Sequence, residues 1–447
     1  MNDSLSPAPV ETTTRLPGRP VYIIDGSRSP QLKASGRPGP FRAADLAVQA
    51  GRELLIRQPF PAEAFDEVIL GCVGPGPDEA NIARIAALRL GCGEHTPAYT
   101  VQRNCASGMQ AVENAALDIA SDRAELVLAG GAEAMSHSPV LLAESLVAWL
   151  GVWNRARDLG ARARQLTQLR PMMLKPVIGL LRGLTDPFTG LNMGQTAEKL
   201  AWRFDITREA MDAYATRSHQ RLAAAQESGR LDAEITPLFN ERGTVWEKDD
   251  GVRPDSSIEK LAKLRPVFDR PVGRVTAGNS SQISDGAAWL ILASEAVVEK
   301  YDLPLLGRLV DSQWGALDPS EMGLGPVFAM APILQRRGLD SDDIDFWEIN
   351  EAFAAQVLAC LKAWHDDDYC RAQLGRDRGF GVIPDSRLNV DGGGISLGHP
   401  VGASGARIIL HLLHTLRRSK ARRGIASLCI GGGQGGAVLV ESIQESR

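Results

Sequence analysis

The sequence predicts an α/β fold made of two related halves, with a helical insert in the first. Three observations carry that expectation. Apolar runs of strand length alternate with segments of helical spacing, the pattern of sheets covered by helices. A motif near residue 105 returns near residue 403. The 447 residues exceed one small core, and 44% hydrophobic with 23% charged content fits a soluble globular chain.

The elements follow in order. The opening MNDSLSPAPVETTTRLPGRP is polar and rich in Pro and Thr. It lacks the apolar centre of a secretion signal, and its acidic residues argue against a transit peptide, so residues 1–19 read as a loose tail. PVYIIDGSRSP reads as a first strand and turn, and RAADLAVQAGRELLIRQ as a helix. FDEVILGCVGPG is a buried strand entering a glycine turn, and NIARIAALRLG a helix closed by Gly91. Tyr99 to Val101 is a further β-rich run, with Cys105 at the mouth of the helix behind it.

The echo organises the rest. CASGMQAVENAALDIASDRAELVLAGGAEA and VGASGARIILHLLHTLRRSKARRGIASLCIGGGQGG both run from a small-residue turn through a helix and an apolar strand to a glycine pair. Ala106–Gly108 answers Ala403–Gly405, and Gly130–Gly131 answers Gly431–Gly432. Self-similarity at this spacing suggests a duplicated half, with a first domain over 20–300 and a second over 301–447. Residues from about 137 to 270 fit neither half and read as an inserted loop domain. Part of it is basic and apolar, with Trp149, Trp153, Arg155, Arg157, Arg162, Arg164 and Arg170. A helical cap over an active site is the first reading; a surface for a membrane, a partner or anionic phosphates is the second.

A net charge of -5 gives no case for nucleic acid. No apolar run reaches membrane-spanning length, and the chain reads as cytoplasmic. Six cysteines without a C-x-x-C pair are not a disulfide scaffold, so each is judged by its setting.

Cys105 stands at a helix start, where partially positive N–H groups favour thiolate and small neighbours leave the sulfur approachable; a buried structural cysteine is the alternative. His399 lies in a Gly/Pro turn at another helix mouth, not on a core face, so a chemical role is preferred: neutral imidazole can take a thiol proton and then donate to an oxyanion. Cys429 ends a strand and opens a glycine run whose bare N–H groups can approach a substrate oxygen. Asn350, between a strand and a helix, is either a helix cap or a holder of water or substrate. Three matches are set aside. The G-x-G-x-x-G at Gly431, Gly433 and Gly436 leads into a strand. The GISLG around Ser396 lacks the serine, acid, histidine order of a hydrolase. Cys360, His365 and Cys370 fit no common zinc spacing, so no metal is expected; Cys72 and Cys92 read as structural.

NCASGMQA, NEAFA, GHPVGASGA and CIGGGQGGA, in that order within a likeness running from about residue 20 to the end, resemble the thiolase family. The resemblance implies a duplicated α-β-α-β-α layered fold with a helical loop domain inserted in the N-terminal half. It implies that Cys105 is the acylated nucleophile, His399 its base and Cys429 the second acid/base. Asn350 would hold a water that forms one oxyanion hole with His399, and the backbone amides of Cys105 and Gly431 would form another. Met193 and Phe353 would line the acyl pocket. Ser281, in TAGNSSQISDGAA, would lie near the pantetheine of coenzyme A. The expected reaction is reversible acyl transfer between CoA and a cysteine thioester, cleaving or forming 3-ketoacyl-CoA, with no cofactor beyond the CoA thioester substrates. Homodimers or homotetramers are implied. The basic insert and AWHDDDYCRAQLGRD look like the β-subunit of fatty-acid oxidation complexes, which adds a hydratase/dehydrogenase α-subunit and peripheral membrane contact through 140–185 as candidate partners.

The chain departs from the family pattern at three places. Gln102 stands where Asn is frequent, with Asn104 next to the cysteine instead; Asn192 stands where His is frequent in short-chain members; and the fatty-acid oxidation clade has His at the Asn350 position. Two rivals are a decarboxylating ketoacyl synthase or hydroxymethylglutaryl-CoA synthase, which Cys429 opposes, and a non-catalytic lipid carrier, which retention of all four motifs opposes.

Overall fold

Alternating apolar strands and amphipathic helices need layers, because each sheet face must be covered. The computed structural model describes residues 18–443. The first half runs β1 (Val21–Arg28), α1 (Ala43–Ile56), β2 (Glu67–Gly71), α2 (Ile82–Arg89), β3 (Ala98–Val101), α3 (Ser107–Ala120) and β4 (Leu126–Ala134). The insert follows with α4 (Glu144–Arg155), α5 (Leu159–Leu166), α6 (Met193–Arg203) and α7 (Arg208–Glu227). The chain returns at β5 (Ser284–Ala293), then β6 (Gly307–Ala316), α8 (Gly325–Arg337), β7 (Phe346–Ile349), α9 (Ala354–His365), α10 (Val401–Ser419), β8 (Arg423–Ile430) and β9 (Gln434–Glu441).

The duplication is visible in the pairing. β2 runs parallel to β4, β4 antiparallel to β5, and β5 antiparallel to β1. The second half repeats this: β7 parallel to β8, β8 antiparallel to β9, and β9 antiparallel to β6. A short antiparallel stretch, Val21 opposite Leu309 to Ile23 opposite Gly307, joins the two sets. β3 pairs with β2 at one edge of the sheet. α1 and α2 cover the outer face of the first half, α8 that of the second, and α3 and α10 pack on each other in the layer between, with α10 touching strands of both halves.

Glycine makes that central contact possible. A Cβ on Gly108 would lie 2.7 Å from the Gly402 carbonyl oxygen, and one on Gly405 would lie 2.5 Å from the Met109 nitrogen. The two echoed small-residue turns are therefore the surfaces on which the helix starts meet. A buried ion network ties the insert to this centre. Arg28 Nε donates to Glu234 at 2.7 Å and Arg28 Nη1 to Asp249 at 2.7 Å, while Glu234 also accepts from His411 Nδ1 of α10 at 2.9 Å.

Beside its helices the insert carries two short pairings, Val140–Leu141 with Val177–Ile178 and Leu238–Phe239 with Val245–Trp246. Two expectations are corrected. Residues 1–17 of the tail lie outside the described residues, but Arg19 is anchored: it donates to the Ile119 carbonyl at 2.7 Å, the Ala124 carbonyl at 2.6 Å and Glu125 at 2.7 Å. The packed cap describes α6 and α7, which bury Leu200, Ala201, Met211 and Tyr214 against the second half, but not residues 140–185. There α4 and α5 pack mainly on each other and the adjoining turn, leaving no core surface to cover their apolar side chains.

Gly405→Ala is expected to destabilise the fold by about 1–3 kcal/mol, because the new methyl meets backbone, not a movable side chain. Urea denaturation of the purified protein would measure the loss, and an unchanged midpoint would refute the close contact.

Candidate active site

α3 begins behind a strained turn. Asn104 has φ 43°, a left-handed conformation that Asn tolerates, and its Nδ2 donates to the Gly431 carbonyl at 2.8 Å. This bond fixes the glycine run that follows β8 against the turn that carries Cys105. The Gly431 and Cys105 amides both favour the Cys105 thiolate. Groups from the two halves of the chain thus act on one sulfur. The side chain of Gln102 is exposed, and Asn104 makes the bond into the site.

Cys429, near the end of β8, is buried, and its sulfur is close enough to Cys105 for the two to repel as thiolates. Burial pushes the Cys429 thiol well up, with Cys105 adding to the shift. Cys105 is half-buried and its thiol is also raised, by desolvation first; the Gly431 and Cys105 amides oppose this and Glu133 reinforces it. The helix start therefore does not leave a resting thiolate, contrary to expectation: the loss of water outweighs the aligned amides.

His399 is the complement. Its Nδ1 lies 2.6 Å from Ser404 Oγ, and Ser404 Oγ lies 3.0 Å from the Pro400 carbonyl. The carbonyl can only accept, so the serine hydrogen goes to it and Nδ1–H donates to the serine. That leaves Nε2 unprotonated, 3.3 Å from Asn350 Nδ2. Burial, with Arg407 adding, lowers His399 to about 4, so the imidazole is neutral at neutral pH. Asn350 is not a helix cap, because Phe353 holds that position at α9; its Oδ1 is buried without a partner. Glu351 fixes the adjoining loop, accepting from Tyr214 Oη at 3.0 Å, Ser218 Oγ at 2.6 Å and Asn389 Nδ2 at 3.2 Å.

The remaining candidates lie as follows. Ser281 N–H donates to the Ala352 carbonyl at 2.9 Å, and His399 N–H to the Gln282 carbonyl at 3.1 Å, so the TAGNSSQISDGAA segment borders the histidine. Met193 Sδ would sit 3.4 Å from a Cβ on Gly431. Phe353 stacks edge-on against Phe268, with ring centres 6.0 Å apart. Asn192 caps α6, its Oδ1 accepting from the Gln195 N–H at 3.0 Å. Cys360 and Cys370 bond backbone carbonyls, Ser396 is buried in contact with Ser218, and among the described residues no group of three or more His, Cys, Asp or Glu can hold a metal.

Two residues escaped the reading of the sequence. Ser404 orients the imidazole, and its signal was a hydroxyl in the first turn after His399. Glu133 lies buried near the site, and its signal was a lone acid in an otherwise apolar strand.

Comparison with known proteins agrees with this architecture. The thiolase N-terminal domain model matches residues 21–296 and the thiolase C-terminal domain model residues 303–442. A 3-ketoacyl-CoA thiolase of Yersinia pestis (strain Pestoides F) is 37% identical over 436 residues, covering 97% of this chain and 99% of the relative. The crystal structure of human mitochondrial 3-ketoacyl-CoA thiolase superposes with a TM-score of 0.81 at 36% identity, covering 95% of this chain and 99% of that one. The Bacillus anthracis acetyl-CoA acetyltransferase gives 0.81 at 37% identity, covering 96% and 100%. The fold and these matches define an acyltransferase. Within that class, the chain belongs to the thiolase family.

The depressed pKa of His399 has a kinetic consequence. His399 gains its proton only as pH falls toward about 4, where an unperturbed imidazole would gain it near 6.5, so with His399 as the base the resemblance implies, the base is lost only at that lower pH. Acylation of Cys105 should therefore show no loss due to His399 between about pH 7 and 5.5. Rapid-quench measurement of acyl-enzyme across that range would check this, and an inflection near 6.5 would contradict it.

Proposed function

We propose that this thiolase cleaves 3-ketoacyl-CoA with coenzyme A, and in reverse condenses acetyl-CoA with an acyl-CoA, through a thioester on Cys105. The observation that carries the reading is the 2.8 Å bond from Asn104, beside Cys105, to the Gly431 carbonyl, which joins the nucleophile's turn to the glycine run after Cys429, whose thiol interacts electrostatically with that of Cys105. In thiolysis the Cys105 sulfur attacks the 3-keto carbon as its proton passes to His399 Nε2. The oxyanion formed there accepts from the Cys105 and Gly431 amides. The bond between C2 and C3 then breaks, and its electron pair moves to C2 as an enolate. A water held by Asn350, together with the protonated His399, donates to the enolate oxygen, and Cys429 gives C2 its proton. Acetyl-CoA leaves. The thiol of a second CoA then gives its proton to the Cys429 thiolate and attacks the thioester; acyl-CoA is released as the Cys105 sulfur leaves and takes back the proton held on His399, which restores both thiols and the neutral imidazole. Ser281 contacts the pantetheine, and Met193 and Phe353 line the acyl chain.

The resting protonation states suit this sequence. Both thiols are raised and the imidazole is lowered, so each proton moves only when substrate arrives. One oxyanion donor is typically worth roughly 3 kcal/mol, and each oxygen here has two. The route uses neither metal nor redox cofactor. A human relative solved in complex with CoA and relatives named for 3-ketoacyl-CoA support these substrates and a role in fatty-acid β-oxidation. We place the enzyme in the cytoplasm as a homodimer or homotetramer; the edge position of β3, whose outer side pairs with no strand among the described residues, supports self-association.

A second contact is favoured by residues 140–185. Seven basic residues stand there against two acidic ones, in a chain of net charge -5. Leu159 is 82% exposed and Met172 78%, beside a stacked Trp149–Trp153 pair. This combination suits peripheral contact with anionic headgroups. Co-sedimentation with anionic but not neutral vesicles tests it, and co-purification with a hydratase/dehydrogenase would assign the strip to a protein instead.

Cys105→Ala is expected to lower thiolysis by on the order of a thousandfold or more while CoA still binds. Substantial turnover by that variant would defeat the assignment. Cys429→Ala should still form acyl-enzyme from acetyl-CoA, seen by mass spectrometry, yet fail to make or break the carbon–carbon bond. Absence of the adduct would contradict its role.

A further inference from the structure

We propose that Glu133 is a positioning residue whose carboxylate clamps the first turn of α10, and with it His399, to the half of the chain that carries Cys105. The proposal rests on the roles given above to Cys105 and His399.

Glu133 is 3% exposed in β4, where every residue is buried and all the others are apolar or glycine. A carboxylate there needs strong partners to offset lost hydration. It has three, all backbone N–H groups. Oε2 accepts from Val73 at 2.8 Å and Gly402 at 3.1 Å, and Oε1 accepts from Gly74 at 3.0 Å. Val73 and Gly74 follow β2 in the first half. Gly402 lies in the opening turn of α10, three residues beyond His399, where the free amides of a helix start attract an anion. The fit is close from both sides: a Cβ on Gly402 would stand 2.7 Å from Glu133 Oε2 and 2.7 Å from the Ala132 carbonyl. The titratable group directly against the carboxylate is Cys72, its sulfur 3.8 Å away. Burial raises Glu133 to about 7 against the pull of the three amides, and its charge also raises Cys105. The clamp thus touches the sulfur electrostatically and the imidazole mechanically.

Glu133→Gln turns one acceptor into a donor that faces backbone N–H groups. The expected result is a fall in kcat per folded molecule on the order of a hundredfold, the usual effect of a small misplacement of reacting groups. KM for CoA thioesters should stay within about twofold, since the pantetheine segment is untouched. The pH midpoint for iodoacetamide labelling of Cys105 should move down, because a negative charge is removed. A merely structural role would lower the yield or melting temperature and leave kcat and that midpoint alone; wild-type values of either would overturn the proposal. If Glu133→Gln does not fold, Gly402→Ala reads the same contact from the other side with the charge retained. It should lose kcat but keep the labelling midpoint, and a wild-type kcat would refute the clamp. Labelling needs no substrate, so failure of the thiolase assignment, seen as wild-type protein inert toward 3-ketoacyl-CoA, is distinguishable from failure of the clamp.

Discussion

The close approach of two helix starts, one from each half, is the contact on which this molecule depends. Gly108 and Met109 of α3 meet Gly402 and Gly405 of α10 with no room for a Cβ at the glycines. Each helix leads away from a loop that bears a reactive side chain, Cys105 on one and His399 on the other. Bringing backbones this near places the two loops side by side without any long side chain bridging them. The strands outside share one pairing pattern, and each helix packs on strands of its own half.

A second consequence of the duplication is that the halves have diverged in what they deliver. The first contributes Cys105 and Glu133. The second contributes His399, Asn350, Cys429 and the glycine run after β8. The Asn104–Gly431 bond and the Glu133–Gly402 bond both run between the halves. The insert adds Met193 and, through Arg28, Glu234, Asp249 and His411, is fixed to the same central helix.

Much of this was legible in the residues. Period and punctuation located β1, α1, β2 and α2, and the echoed Ala-Ser-Gly turns disclosed the duplication because the close packing that needs them occurs at both helix starts. Cys105 was conspicuous at a helix start among small residues, His399 in a Gly/Pro turn, and Cys429 at the mouth of a glycine run. What stayed hidden depends on distant neighbours. The direction of the Cys105 shift follows from desolvation by segments far away in sequence, and a local helix-start argument cannot include it. Glu133 acts through a partner 269 residues away, whereas Ser404, five residues from His399, left a local signal. The fate of residues 140–185 turned on whether any core face remained for α4 and α5, which depends on where the rest of the chain had already packed.

Burial that keeps both sulfurs protonated bears on how the enzyme survives between turnovers. Peroxide and similar oxidants attack the thiolate, so thiols whose ionisation burial opposes are slow targets. The same desolvation therefore also shields an idle site from such oxidants.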